Sequence, residues 1–174
     1  LSTASGDIHI EDCSGEIEMS TASGDIEGSG LDSDEIELSA ASGDIEISDS
    51  RGGFDLSVAS GDVEAEGLEI TSQSEFSTAS GEVEIVLANS PRVGIDLSTA
   101  SGDVLLDYNG NRMVGYFELT ARKGRGRIRA PFSFDREEEF KKNGRTYLRK
   151  SFSKNGDSPE IYLHTASGKV ELRK

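Results

Sequence analysis

Acidic side chains recur at a nearly constant spacing through the first part of the chain. Six of them follow an Ala-Ser-Gly triplet and lie 18 to 21 residues apart: Asp7, Asp25, Asp44, Asp62, Glu82 and Asp103. Asp and Glu oxygens are the ligands that Ca²⁺ prefers, so this acidic ladder is a candidate metal site. The calcium-binding nonapeptide with paired glycines is absent, because most copies carry a single glycine. We therefore predict a solvated outer face without metal or cofactor, with hydrogen bonds to the corner backbone as a structural alternative.

Basic side chains form a second candidate site after the acidic repeats. Arg122, Lys123, Arg125, Arg127 and Arg129 stand where the repeat has Ser, Gly and acidic residues. Such a stretch can contact phosphate, either in nucleic acid or in an anionic polymer of the cell envelope. The net charge of −15 opposes nucleic acid. The alternative is that these bases pair with acids of the preceding coil and form a neutralising cap.

Catalytic groups are difficult to assemble from this sequence. His9 and His164 occupy repeat positions that otherwise hold Glu and Ser, and no set of nucleophile, base and orienting group can be formed around them. The chain lacks Trp, and its acidic part has hardly any bases or aromatic residues with which to hold an anionic sugar. We predict that the protein is not an enzyme. A carbohydrate-active β-helix enzyme is the remaining catalytic alternative.

A sequence repeat positions these residues. The signature A-S-G-[D/E/K]-[I/V] has a period near 20, which is typical of repeat architectures. Alternating apolar and acidic residues flank it, as in Ile36–Ser39 and Asp44–Ile47, and this pattern indicates strands with one buried face. The inward face changes parity across Thr-Ala-Ser-Gly, so this segment is predicted to be a corner. The signature begins at Ala4, Ala22, Ala41, Ala59, Ala79, Ala100 and Ala166.

One repeat therefore predicts two strands, a corner and a looser second connection, which together make one turn of a coil. Stacking coils about 4.8 Å apart pairs the strands in parallel and aligns like residues in columns. We predict an all-β, single-domain β-solenoid with about 18–21 residues per coil, preferably a right-handed β-helix, since the variable spacing disfavours the left-handed hexapeptide helix. One apolar column is Ile8, Ile26, Ile45, Val63, Val83 and Val104, and another is Met19, Leu38, Leu56, Phe76 and Leu97.

The chain divides into four parts on this pattern. Residues 1–104 are regular acidic coils, and residues 105–130 are a degenerate coil whose outer face is basic. Residues 131–159 break the period and are read as a hairpin insertion or cap. Residues 160–174 return to the unit as a final coil, with Lys169 in the usual Asp position.

The irregular segment is expected to cap the stack. Asn143-Gly144 between alternating segments predicts a hairpin whose strands leave the stack. The chain stops two residues after Leu172, so we expect no further coil to cover the final one, and we predict that the aromatic hairpin packs against the last coils instead. The basic residues expected to face solvent are Lys141, Lys142, Arg145, Arg149 and Lys150.

Charge and aromatic residues are distributed unevenly. Residues 1–104 hold 24 acids and two bases, whereas residues 105–174 hold nine acids and sixteen bases, so an acidic shaft with a balance of −22 precedes a basic end with +7. The shaft contains two of the seven Phe and none of the four Tyr. The single cysteine, Cys13, excludes an internal disulfide and is expected to be structural. The sequence has no apolar run long enough for a membrane span, and it starts within a repeat at Leu1, so the native N-terminus is expected to lie upstream.

Tandem S-x-S-G-D-I-x-[I/V] units, a diverged segment and a closing P-x-I-x-L-x-T-x-S-G-x-[I/V] carry a family resemblance. The chain resembles the bacterial adhesin-like family of β-strand-repeat domains of unknown function over nearly its whole length, least so from Tyr108 to Pro159. The resemblance implies a β-solenoid from a bacterial envelope or extracellular surface protein. It brings no catalytic residues.

Two functions follow as hypotheses from the residues and the resemblance. The first is a non-catalytic structural or adhesive module of a surface protein. The second is a regulatory or sensor domain that binds an anionic envelope component through its basic end. The expected partner is an envelope polymer, a surface glycan or another protein rather than nucleic acid.

Overall fold

A computed structural model describes all residues from 1 to 174. The chain forms eighteen β-strands and no helix, so the predicted all-β class is confirmed. No helix is present with the length and hydropathy that a membrane crossing requires. The strands are β1 Ser2–Thr3, β2 Ile8–Glu11, β3 Ile17–Thr21, β4 Ile26–Ser29, β5 Asp32–Ala40, β6 Ile45–Ser48, β7 Arg51–Ser60, β8 Val63–Ile70, β9 Ser74–Ser80, β10 Val83–Leu87, β11 Ile95–Ser101, β12 Val104–Asp107, β13 Gly115–Arg122, β14 Gly126–Arg129, β15 Arg136–Lys142, β16 Arg145–Lys154, β17 Glu160–Thr165 and β18 Gly168–Arg173.

Two parallel stacks of strands enclose the core, as a solenoid requires. The first sheet runs in the order β1, β3, β5, β7, β9, β11, β17, β13, and the second runs β2, β4, β6, β8, β10, β12, β18, β14. Each level joins one strand of each sheet through the predicted corner. The β-solenoid predicted from the repeat is therefore confirmed.

The apolar columns occupy the interior in the predicted register. Ile26 pairs with Ile45 and Ile45 with Val63, and all three side chains are fully buried. In the first sheet Leu38 pairs with Leu56, which is also fully buried. Thirty-five buried residues form one continuous apolar cluster along the stack. Because each level covers the apolar face of the next, the fold is stabilised between neighbouring coils.

The corner glycines allow the coils to approach closely. Gly43 has φ +125°, and a Cβ built on it would collide with the backbone carbonyl oxygen of Gly24 in the preceding coil. Only glycine adopts this conformation without steric cost. The Ser-Gly pair therefore sets both the bend of each coil and the spacing between coils.

The final coil lies inside the stack, so its predicted terminal position is wrong. β17 pairs with β11 on one side and β13 on the other, and β18 lies between β12 and β14. The reason is in its sequence: Thr165 donates a hydrogen bond to the Gly102 carbonyl oxygen at 2.9 Å, and Asp103 accepts one from the Lys169 N–H at 2.7 Å. The Arg-Lys-Gly-Arg turn between β13 and β14 lacks the residues for these corner bonds.

The hairpin extends the first sheet and does not leave the stack. β15 and β16 are antiparallel strands joined at Asn143-Gly144, as predicted, but β16 also pairs antiparallel with the whole length of β13. Phe152 of β16 is buried and stacks on Phe117 with ring centroids 4.9 Å apart. Phe132 and Phe134 pack edge-on against Phe152. The hairpin and the segment before it therefore cover the end of the core at β13, and the final coil is covered by β13 and β14.

Candidate functional site

The acidic ladder is a hydrogen-bonding device of the corner. The Asp25 carboxylate accepts a bond from the Asp44 N–H at 2.8 Å, and Asp44 accepts one from the Asp62 N–H at 2.7 Å. Asp62 accepts a bond of the same length from the Glu82 N–H. Each aspartate thus satisfies a backbone donor of the next coil, which is the structural role considered for these residues.

The ladder is interrupted where its residue type changes. Glu82 has one more methylene than aspartate, is exposed, and accepts no bond from the Asp103 N–H. The series resumes at Asp103, whose Oδ1 accepts the Lys169 N–H bond of the inserted final coil. The interruption indicates that the length of the side chain, as well as its charge, determines whether it accepts the corner hydrogen bond.

A second column of carboxylates lies on the outer face of the second sheet. Glu27, Glu46, Glu64 and Glu84 are paired in register on β4, β6, β8 and β10. The pKa of Glu64 is raised, first by desolvation and then by repulsion from Glu46 and Glu84. No group of three or more His, Cys, Asp or Glu side chains is arranged to hold a metal ion. The glutamates therefore form a column of repelling charges.

Hydroxyl groups take two different roles in the first sheet. Thr78 and Thr99 point inward and donate hydrogen bonds to the carbonyl oxygens of Gly61 and Gly81 at 2.9 and 3.0 Å. These bonds add a second link at each corner. The residue before each of these threonines lies on the outer face of the sheet and is a serine, and the serines of this column are in register, as in the Ser57–Ser77 pair. The threonines are thus structural and form no outer binding face.

The predicted partner-binding residues lie at the end of β13 (Arg122), on the turn between β13 and β14 (Lys123 and Arg125) and on β14 (Arg127 and Arg129). Lys123 pairs with Glu139 of the hairpin at 2.6 Å, not with an acid of the preceding coil. The other four, Arg122, Arg125, Arg127 and Arg129, take part in no ion pair. The alternative of a cap that neutralises the preceding acidic coil is therefore wrong.

The structure brings a second basic group to the same corner. The Lys123 N–H donates to the Thr146 carbonyl oxygen at 2.9 Å, which fixes the tip of the hairpin beside the β13–β14 turn. Lys142 and Arg145 are exposed and lie directly opposite each other at this tip. We use the name basic corner for the seven cations of this region that have no ion-pair partner: Arg122, Arg125, Arg127, Arg129, Lys141, Lys142 and Arg145.

Other cations at this end are neutralised, in contrast to their predicted exposure. Arg149 is half-buried and pairs with Glu118 at 3.0 Å and with Glu138 at 2.9 Å. Lys150 pairs with Glu137 at 2.8 Å. Both face neighbouring strands because the hairpin extends the sheet. The expectation that Arg149 and Lys150 point to solvent is therefore wrong, whereas it is confirmed for Lys141, Lys142 and Arg145, which are exposed.

The final coil is also neutralised within itself. Hydrogen bonds from Arg173 and Lys169 lower the pKa of Glu171 to about 2. The Glu171 carboxylate lies 3.0 Å from Arg173 Nε and 2.8 Å from Lys169 Nζ. These two cations are therefore not part of the basic corner.

The two histidines occupy the predicted repeat positions. His9 aligns with Glu27 and contacts its carboxylate at 3.0 Å. His164 aligns with Ser98 in the outer serine column and stacks against Tyr147. Burial lowers the pKa of His164, with a smaller effect from Lys142. His164 lies beside Ser98 and Thr120 in the sheet, but no hydrogen bond joins either histidine side chain to a hydroxyl or thiol group.

The comparison with protein families identifies a match to a repeat domain. The model of the Toastrack DUF4097 family, a β-strand-repeat domain of unknown function, matches residues 1–127. This range includes the acidic shaft and ends within β14, before the hairpin and the inserted final coil. The expected kinship with a β-strand-repeat family of unknown function is confirmed. No curated protein and no solved structure matches the chain.

Proposed function

The chain belongs to the Toastrack DUF4097 family, and we propose that it is a non-catalytic structural or adhesive module of a bacterial cell-envelope or surface protein. The observation that carries this proposal is the use of the repeat's polar groups within the fold. The corner aspartates accept backbone N–H bonds, and the corner threonines donate to backbone carbonyl oxygens. Residues that satisfy backbone groups in this way are held in position by the fold, which supports a structural role for them.

A rod of stacked coils suits a structural module. Its length grows by about 4.8 Å per level without a change in cross-section, and its outer faces carry acids that keep it from pairing side by side with other copies. Each β-sheet buries two apolar columns along the rod, as at Ile36 and Leu38 of β5 and at Ile45 and Ile47 of β6. These features support a spacer or presenting role, with contacts made at the outer faces and at the end.

A turnover assay tests the non-catalytic part of this proposal. The protein is incubated with peptidoglycan and with a panel of neutral and anionic bacterial polysaccharides, and the release of reducing ends is measured. We expect no release above that of a heat-denatured sample. Reproducible cleavage of any substrate, lost on denaturation, would contradict the proposal and support a β-helical carbohydrate-active enzyme.

The basic corner supports a second candidate function, that of a sensor domain for an anionic envelope component. The five arginines of the basic corner make no ion pair although the shaft carries a large excess of acids. Structural charges in a folded protein are more often neutralised, as Arg149 and Lys150 are here. The unpaired arginines are therefore available to an external anion.

A further inference from the structure

The basic corner places like charges next to each other without compensation. Lys142 and Arg145 are direct cross-strand neighbours at the hairpin tip, where like charges destabilise a sheet. Arg127 and Arg129 lie two residues apart on the same face of β14, opposite Lys169 and Glu171, and neither makes an ion pair. Two acids reach this region, and both are already paired: Glu139 with Lys123, and Glu171, which lies opposite Arg129, with Lys169 and Arg173. An external anion would relieve the repulsion that the fold itself leaves in place.

The cations are spread too widely for one small anion. They lie at the end of β13, on the β13–β14 turn, on β14 and at the tip joining β15 and β16. The β13, β16 and β15 strands alone span about 10 Å at ordinary strand spacing. One phosphate engages one or two guanidinium groups. The arrangement therefore fits a surface that presents many phosphates side by side.

The rest of the rod restricts how such a surface can approach. The shaft carries 24 acids against two bases, so an anionic surface repels its sides and is attracted only to its basic end. A long soluble polyanion lying along the rod would meet the same repulsion. An extended flat surface that touches only the end avoids it.

From these three observations we infer that the basic corner docks the module end-on to a lipid surface that carries anionic phosphate headgroups. This inference rests on the sensor function proposed above and names its ligand. The attraction is electrostatic, because the seven cations are exposed or half-exposed and have no apolar anchor among them. It is therefore expected to weaken strongly as the salt concentration rises.

Vesicle co-sedimentation tests the inference with the complete chain. The vesicles contain phosphatidylglycerol and phosphatidylcholine in equal amounts, or phosphatidylcholine alone, at 0.1 and 0.5 M NaCl. We expect binding to the anionic vesicles at low salt and its loss at high salt. The triple variant Lys141→Glu/Lys142→Glu/Arg145→Glu should lower the vesicle partition coefficient at least tenfold, since each cation near such a surface contributes about fivefold.

A matched control changes the same charge away from the corner. Arg92, Arg112 and Lys174 are exposed and have no ion-pair partner, so Arg92→Glu/Arg112→Glu/Lys174→Glu keeps the net charge of the first variant. This control should retain binding to within about threefold. Circular dichroism melts of both variants establish that they are folded. If the first corner variant does not fold, a second corner variant, Arg125→Glu/Arg127→Glu, is used in its place.

Three results would overturn the inference. The first is a loss of vesicle binding in the control variant as large as that in the corner variant. The second is binding of the wild-type protein to neutral vesicles as strong as its binding to anionic ones. The third is a wild-type protein that binds long-chain polyphosphate but no vesicles. The last result would assign the corner to a soluble polyanion. Cleavage of a polysaccharide with intact vesicle binding would instead refute the non-catalytic function and leave the docking surface standing.

Discussion

The corner aspartates show how one side chain both shapes the coil and joins it to the next. Asp44 accepts the Asp62 N–H bond at 2.7 Å while its own N–H donates to Asp25. A hydrogen bond to a charged acceptor contributes more than a neutral one, about 1.5–3 kcal/mol when the group is shielded from water. Because Asp44 is half-buried, the lower part of that range applies.

Asp44→Ala is therefore expected to lower the free energy of unfolding by about 1–2 kcal/mol, because the Asp62 N–H loses its acceptor. Asp44→Asn keeps an acceptor oxygen and should recover at least half of the loss. Urea unfolding followed by circular dichroism measures both. The control is Glu46→Ala, an exposed acid on the neighbouring strand that should change stability by less than about 0.5 kcal/mol. A larger effect at Glu46 than at Asp44 would contradict a structural role for the ladder.

The glutamate column gives a second residue-scale prediction, with a sign set by the raised pKa of Glu64. A carboxyl group whose folded pKa lies above its unfolded value of 4.5 destabilises the fold when ionised. This cost is present at neutral pH and is removed as the pH falls through the folded pKa to below 4.5. Glu64→Gln should therefore stabilise the protein at pH 7 by no more than about 1 kcal/mol, since the side chain is exposed.

Thermal melts of Glu64→Gln and wild type at pH 7 and pH 4 test this expectation. The gain at pH 7 should shrink at pH 4 and also in 0.5 M NaCl, which screens the repulsion from Glu46 and Glu84. Glu16→Gln removes an exposed acid outside the column and serves as the control. A destabilised Glu64→Gln at pH 7 would show that this carboxylate makes a favourable contact.

At this scale the sequence predicted the position of most side chains. Strict alternation placed Ile45 inside and Glu46 outside, and the structure agrees. The convergence of Lys142 and Arg145 with Arg122 was missed. About twenty residues separate the two turns, and only the antiparallel pairing of β16 with β13 brings them together. No local pattern encodes which strand a hairpin will join.

At the scale of elements, the inserted final coil is the main departure from a simple stack. Parallel strands pair through the same backbone groups at every level, so the repeat pattern does not specify which coil is the neighbour of which. The order is instead set by the corner bonds, which the final coil forms with the level of β11 and β12. The degenerate β13–β14 coil cannot form them, and it takes the outer position where the hairpin covers it.

Leu163 of β17 tests this order, because it lies between Leu97 of β11 and Leu119 of β13 and is almost fully buried. Leu163→Ala should lower the free energy of unfolding by about 2–5 kcal/mol. Hydrogen exchange should show reduced protection in both β11 and β13. Met19→Ala, near the other end of the stack, is the control and should leave β13 protected. Loss confined to β17 and β18 would contradict the insertion.

At the scale of the whole molecule, the separation of charge determines how the rod responds to ions. The acidic columns repel one another along the shaft, whereas the opposite end is basic. At 0.1 M salt the screening length is about 10 Å, which is longer than the spacing between coils, so acids of neighbouring coils still repel each other. Added salt shortens this length. It therefore stabilises the shaft and weakens the attraction of the basic corner for anionic surfaces. The two effects have opposite signs and can be measured separately.

The last prediction separates screening of the shaft from a specific calcium site. The melting temperature should rise with NaCl from about 0.01 to 0.15 M, as the repulsion between columns is screened. CaCl₂ at equal ionic strength should give a similar rise, and calorimetry should find no stoichiometric calcium site tighter than about 10⁻⁴ M. The physical reason is that the aspartates already accept backbone bonds and the exposed glutamates form a line rather than a cage. The matched variant Glu46→Gln/Glu64→Gln should reduce the dependence of the melting temperature on salt and leave the corner hydrogen bonds intact. Saturable binding at micromolar calcium, abolished in this variant, would show instead that the glutamate column is a metal site.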